Sequence, residues 1–140
     1  MIPRIVIDTN ILVSGLLNAS GRPARVLDLA VNAEVTLLVD ERILEEYATV
    51  LARPKFRSAI EPSAVDALLA VLSRLGERVA PRALDLCLAD AGDAPFLEVA
   101  VSGNADALVT GNQRDYPPIT GLRVLGPGEF LASYAELSRA

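Results

Sequence analysis

The chain has 140 residues, about the size of one domain, and 51% of them are hydrophobic, enough for a sizeable core. It contains no histidine and one cysteine, Cys87, which excludes Ser-His-Asp and Cys-His catalysis and every zinc site built on imidazole. The net charge of −5 excludes a grip on nucleic acid by bulk electrostatics, so any phosphate contact has to be local, through bound cations or through arginines.

The opening segment Met1-Ile2-Pro3-Arg4 has no signal-peptide layout, and no apolar run reaches the ~18–20 residues that cross a bilayer. A cytoplasmic location away from membranes is expected. Cys87, between Leu86 and Leu88, reads as a buried structural thiol.

In chain order, Arg4-Ile5-Val6-Ile7 reads as a buried strand that ends at Asp8. Residues 10–17 are helical in pattern and are broken by Asn18-Ala19-Ser20-Gly21. Pro23 suits a first helical position, and residues 24–32 carry apolar side chains at helical spacing. Val35-Thr36-Leu37-Leu38-Val39 is a second β-branched strand, and Asp40 can cap a helix over 41–52 with one apolar face. Arg53-Pro54-Lys55-Phe56 ends that helix. Ser63 followed by Asp66 resembles a capping box for a helix over 64–75, with Gly76 as its stop. Arg78-Val79-Ala80 is a candidate short strand, residues 94–101 a helix, and residues 107–110 a strand. Residues 122–125 are the last strand, and Gly126-Pro127-Gly128 leads into a closing helix over 129–137.

Apolar strands separated by amphipathic helices indicate a parallel sheet covered on both faces. The expected fold is a three-layer α/β/α sandwich spanning residues 1–140 as one domain. Such folds bind ligands beyond the carboxyl ends of their strands, which directs attention to the polar residues there.

Asp8 follows the first strand, in Asp8-Thr9-Asn10. Asp93 opens the helix before the fourth strand, and Asp115 comes shortly after that strand. Glu46 borders the buried face of its helix, with Ile43, Tyr47 and Val50 as apolar neighbours, whereas Glu45 faces solvent. Taken singly, Asp93 reads as a helix cap, Asp115 as a turn residue and Glu46 as a surface charge. Gathered at one edge, they would repel one another, and a hard divalent cation relieves that repulsion. An all-oxygen ligand set selects magnesium or manganese, whose chemistry on phosphate needs no histidine.

Four segments in this order resemble the motifs of the PIN-domain family, in particular the toxin components of toxin–antitoxin pairs related to VapC. They are the stretch from Ile5 to Ser14, Glu45-Glu46-Tyr47 with the following Val50-Leu51-Ala52-Arg53-Pro54-Lys55-Phe56, the stretch from Asp93 to Ala100, and the stretch from Ala105 to Asn112. The resemblance implies a magnesium- or manganese-dependent endoribonuclease in which Asp8, Glu46, Asp93 and Asp115 are metal ligands and catalytic acids. Asn10, Thr110 and Asn112 would orient them, and Arg114 and Arg22 would hold phosphates or stay as solvated charges. It further implies RNA as substrate, a cognate antitoxin protein, and a homodimer or higher homo-oligomer. Two departures stand out. Many relatives carry Asp where this chain has Asn112, so the fourth ligand is Asp115 or that corner only supports the site. Asp90, three residues before Asp93, could substitute for it.

Two other readings remain. The same fold could serve as a non-catalytic RNA- or protein-binding module with vestigial acids. An Asp after the first strand also occurs in phosphoaspartate enzymes and response-regulator receivers. Position 10 is Asn rather than a second Asp, and the sole lysine, Lys55, is not in a late strand. Fold analogy alone does not decide function.

Overall fold

The computed structural model describes residues 1–85, 88 and 90–139. Cys87, expected to be a buried thiol, lies outside the described residues. Among the described residues five strands run β1 (Arg4–Ile7), β2 (Thr36–Val39), β3 (Glu77–Arg78), β4 (Ala107–Val109) and β5 (Arg123–Leu125). They form one sheet in the order β3-β2-β1-β4-β5, with every neighbouring pair parallel. The chain moves outward from β1 to β3 and then crosses back to β4, so the strand order reverses between β1 and β4. A crevice opens at such a switch point, beyond the carboxyl ends of the two strands.

Among the described residues seven α-helices flank the strands: α1 (Thr9–Leu17), α2 (Arg22–Val31), α3 (Glu41–Leu51), α4 (Pro54–Arg57), α5 (Pro62–Leu75), α6 (Ala94–Ser102) and α7 (Pro127–Arg139). Helix α6 packs against β1, β2 and β4. Helix α5 lies on β2 and α7 on β4 and β5, while α2 touches both of these helices. Right-handed crossovers put outward and returning connections on opposite faces of a parallel sheet. The result is the expected three-layer α/β/α sandwich.

The core follows from the strands, which are apolar because both of their faces are covered. Ile5, Val6, Ile7, Leu38, Val39, Leu108 and Val109 are fully buried, joined by Tyr47, Phe96 and Phe130 from three helices. No helix among the described residues is long and apolar enough to cross a membrane.

Differences from the sequence reading lie at helix starts. The capping box at Ser63 does not form: α5 begins at Pro62, its cap residue is Glu61, and no side chain closes the cap. Proline at the first helical position has its φ already set and no N–H to satisfy, so it starts the helix two residues earlier than expected. Pro127 likewise starts α7 two residues before Glu129. Pro54, read as a terminator, opens the four-residue helix α4. Asp40 does cap α3, accepting the Ile43 N–H at 2.9 Å. Gly76 ends α5 in an extended conformation. A Cβ there would come within 2.8 Å of the Val39 side chain and 2.7 Å of the Leu72 carbonyl, so close approach to β2 is what demands glycine. The strand expected at 78–80 is observed as β3 one residue earlier, extended by Val79 N–H donating to the Val39 carbonyl.

Candidate metal centre

Register fixes the heart of the site. Ile7 lies opposite Val109 across the β1–β4 pair, so the next residues, Asp8 and Thr110, emerge side by side at the carboxyl edge. Asp8 extends the ladder through its N–H to the Val109 carbonyl, and Thr110 does so through its N–H to Leu125. Both side chains are buried; Asp8 is 7% exposed.

One oxygen of Asp8, Oδ2, takes three donors. The Thr110 hydroxyl donates at 2.8 Å, the Tyr116 hydroxyl at 3.0 Å and the Asn10 amide at 3.3 Å. The Asn10 carbonyl oxygen in turn accepts the Gly111 N–H at 3.0 Å, and the Thr110 hydroxyl accepts the Asn112 N–H at 3.0 Å. This lattice ties α1 to the loop after β4 and fixes the Asp8 carboxylate in one rotation.

Glu46 reaches the same edge from α3. Its Oε2 accepts the Thr9 hydroxyl at 2.6 Å, and Thr9, the first residue of α1, is itself buried. The adjacent Tyr47 is fully buried and donates its hydroxyl to the Ile7 carbonyl, so α3 is pinned to the end of β1 immediately before Asp8. Burial raises the Tyr47 phenol well above its usual range, aided by the charges of Asp8, Glu46 and Asp40. Glu45 is exposed, and Glu46 is half-buried.

Asp93 stands at the start of α6 but closes no cap with its side chain, so the helix-cap reading does not account for it. Its carboxyl pKa is raised from 3.8 to about 6. Burial is the largest cause, followed by the negative charges of Asp8, Asp90, Asp115 and Glu46. Asp93 therefore feels every other acid singled out from the sequence. Asp115 ends the 3-10 turn Gln113–Asp115 and is half-buried. Asp90 is exposed, and its carboxylate accepts the Gly92 N–H at 2.8 Å. Asn112 is exposed and meets the lattice through its backbone N–H alone.

Two contributors escaped the sequence reading. Tyr116 is buried and bonded to Asp8, with its phenol pushed up chiefly by burial and next by the Asp8 and Asp93 charges. Thr9 holds Glu46; the polar triplet Asp8-Thr9-Asn10 was its only signal. Arg114 and Arg22 are both exposed. The Arg22 guanidinium lies beside Gly128, where an added Cβ would sit 3.1 Å from Nη1.

The donor set is all oxygen, which suits a hard divalent cation. As placed, no group of three or more His, Cys, Asp or Glu side chains among the described residues could hold a metal ion. Asp8 and Glu46 are anchored at this edge by hydrogen bonds. The repulsion at Asp93 is what a bound cation would relieve.

A family model described as the PIN domain matches residues 4–114. The chain belongs to the PIN-domain family. That family has a nuclease-type fold, and the matched span ends one residue before Asp115. The chain is also similar to an uncharacterised protein of Methanocaldococcus jannaschii, 26% identical over 141 residues, covering 94% of this chain and 91% of the relative.

Proposed function

We propose that this PIN-domain chain is an endoribonuclease dependent on magnesium or manganese. In this reading residues 1–140 act as one nuclease domain, and Asp8, Glu46, Asp93 and Asp115 are both metal ligands and catalytic acids. The observation that carries it is that the end of β1 brings Asp8 to the carboxyl edge of the sheet and the next residue, Thr9, bonds Glu46 of α3 there, so carboxylates from two distant segments meet. A cation held there would activate water and neutralise charge developing on the phosphodiester. The chain's own residues orient the ligands: Thr110, Tyr116 and Asn10 all donate to Oδ2 of Asp8, so Oδ1 is the oxygen left for a cation. Thr9 steadies Glu46, and Arg114, on the exposed rim beside Asp115, is placed to contact a neighbouring phosphate.

The toxin role belongs to the same proposal. It carries a cognate antitoxin that covers the acidic edge, assembly as a homodimer or higher homo-oligomer, and action in the cytoplasm. The test is cleavage of single-stranded and structured RNA, with DNA as control, in manganese, in magnesium and in a chelator. Cleavage of RNA that disappears with the chelator is expected; none in either metal would overturn the reading.

Tyr116→Phe keeps the buried ring and removes one of the three donors to Asp8. It is expected to lower kcat/KM on RNA by ~10-fold, in the range for groups that orient a metal ligand, with little change in Tm. Unchanged kcat/KM would show that two donors suffice.

A second reading, a non-catalytic RNA- or protein-binding module with vestigial acids, is favoured by Asn112, which stands where many relatives carry Asp, and by the net charge of −5. Calorimetric titration with manganese separates the two, because binding heat and a rise in Tm are expected only of the nuclease.

A further inference from the structure

Two more carboxylates are buried, Asp40 just after β2 and Glu98 within α6. Asp40 and Glu98 are each 8% exposed, and Arg42 bridges them. Its Nε donates to Asp40 Oδ2 at 2.8 Å and its Nη1 to Glu98 Oε1 at 2.8 Å. The second oxygen of Asp40 caps α3 through Ile43, and the second oxygen of Glu98 accepts the Leu84 N–H at 3.1 Å. All four carboxylate oxygens are thus engaged, and the charges hold the Glu98 carboxyl below its usual range, chiefly through its bond to Arg42.

The two carboxylates are buried but the Arg42 side chain is 45% exposed, and ion pairs open to solvent add little stability. What it fixes is geometry. The guanidinium is planar and rigid, so its two carboxylate partners set both a separation and an angle, which a lysine cannot do. Arg42 lies one helical turn before Glu46 on α3, and Glu98 lies five residues after Asp93 on α6. The bridge therefore joins the two helices that bring Glu46 and Asp93 to the sheet edge, and Leu84 joins to it the segment that leads toward Asp93.

We propose that Asp40, Arg42 and Glu98 form a positioning clasp, which locks α3 against α6 and so sets the separation of the Glu46 and Asp93 carboxylates for a divalent cation. The clasp rests on the metal-dependent reading of the acidic edge. Its three residues touch neither the cation nor the substrate and act through the helices.

The test is calorimetric titration of the purified chain with manganese chloride, with Tm measured in parallel. Arg42→Lys and Glu98→Gln keep much of the volume and break the fixed geometry. The control is Arg4→Met, which removes a different network, Arg4 with Glu77 and the Gly103 carbonyl, from the opposite end of β1. Arg42→Lys and Glu98→Gln are expected to weaken manganese binding about tenfold, as loss of groups that orient ligands does. Arg4→Met is expected to lower Tm by about 2–8 °C and to leave the manganese Kd within about twofold of wild type. Wild-type affinity in both clasp variants would overturn the clasp alone, as would equal weakening by Arg4→Met. No binding heat from the wild-type chain would overturn the metal-dependent reading on which the clasp stands.

Discussion

Asp8→Asn and Asp93→Asn are each expected to reduce cation-dependent RNA cleavage by at least ~10²–10³, the loss typical when one group that stabilises transition-state charge is removed. The hydrogen-bond lattice says why so small a change suffices. Three donors converge on Oδ2 of Asp8, so an asparagine at this position satisfies them with its carbonyl oxygen. Its NH2 group then takes the place of Oδ1, so the oxygen proposed for the cation becomes a donor. The fold keeps its bonds and loses the charge. For Asp93 the neutral amide removes the charge without removing a cap, because no side-chain cap bond exists there. Glu45→Gln, on the exposed side of α3, is the control and should cleave as wild type does. Gel assays on a labelled RNA with matched circular dichroism spectra check all three. Full activity in both Asp variants would remove these acids from the chemistry.

The sheet was legible because strands covered on both faces must be apolar along their whole length, as Ile5-Val6-Ile7 and Leu37-Leu38-Val39 are. The same patterning placed α3 correctly, and the apolar neighbours of Glu46 separated it from the exposed Glu45. Helix starts were less legible, because proline carries two meanings. Pro62 and Pro127 open helices, and Pro54 opens one where it was read as an end. Local sequence cannot say whether the residue before a proline bends away or caps a new helix; the packing of the helix that follows decides it.

Strand-end position pointed to Asp8 and Asp115, the buried-face border to Glu46 and a helix start to Asp93, and the resemblance to the PIN-domain motifs joined them as one set. The groups that hold them were hidden because their partners are distant in sequence. Tyr116 reaches Asp8 across 108 positions, and Arg42 reaches Glu98 across 56. A tyrosine in a turn and a glutamate in an apolar helix look ordinary until the β1–β4 register and the α3–α6 contact bring them to their partners. Asn112 shows the converse: its side-chain amide suggested a role, but its backbone N–H makes the bond.

The strained acid at Asp93 ties stability to pH and to cations. Its carboxyl pKa is raised to about 6 in the folded chain, against 3.8 without the fold. Between those values the native state holds a proton that the unfolded state has released, so stability falls as pH rises from about 4 through 6 and the loss is complete above that. For a half-buried group screened by solvent, the loss comes to about 1–2 kcal/mol. Without cations, Asp93→Asn is therefore expected to melt higher than wild type at pH 7.5, and the difference should close as the pH approaches 4. Manganese should act in the opposite sense on the wild-type chain. An ion at about 100 times its Kd adds ~2.7 kcal/mol to the native state, and the gain should be largest above pH 6, where protons no longer compete for Asp93. The same addition should leave Asp93→Asn nearly unmoved. Differential scanning calorimetry over this pH range, with and without manganese, reads both effects. A mutant that melts below wild type at pH 7.5 would mean that Asp93 is held by attraction rather than repulsion, and the acidic edge would then have no excess charge for a cation to relieve.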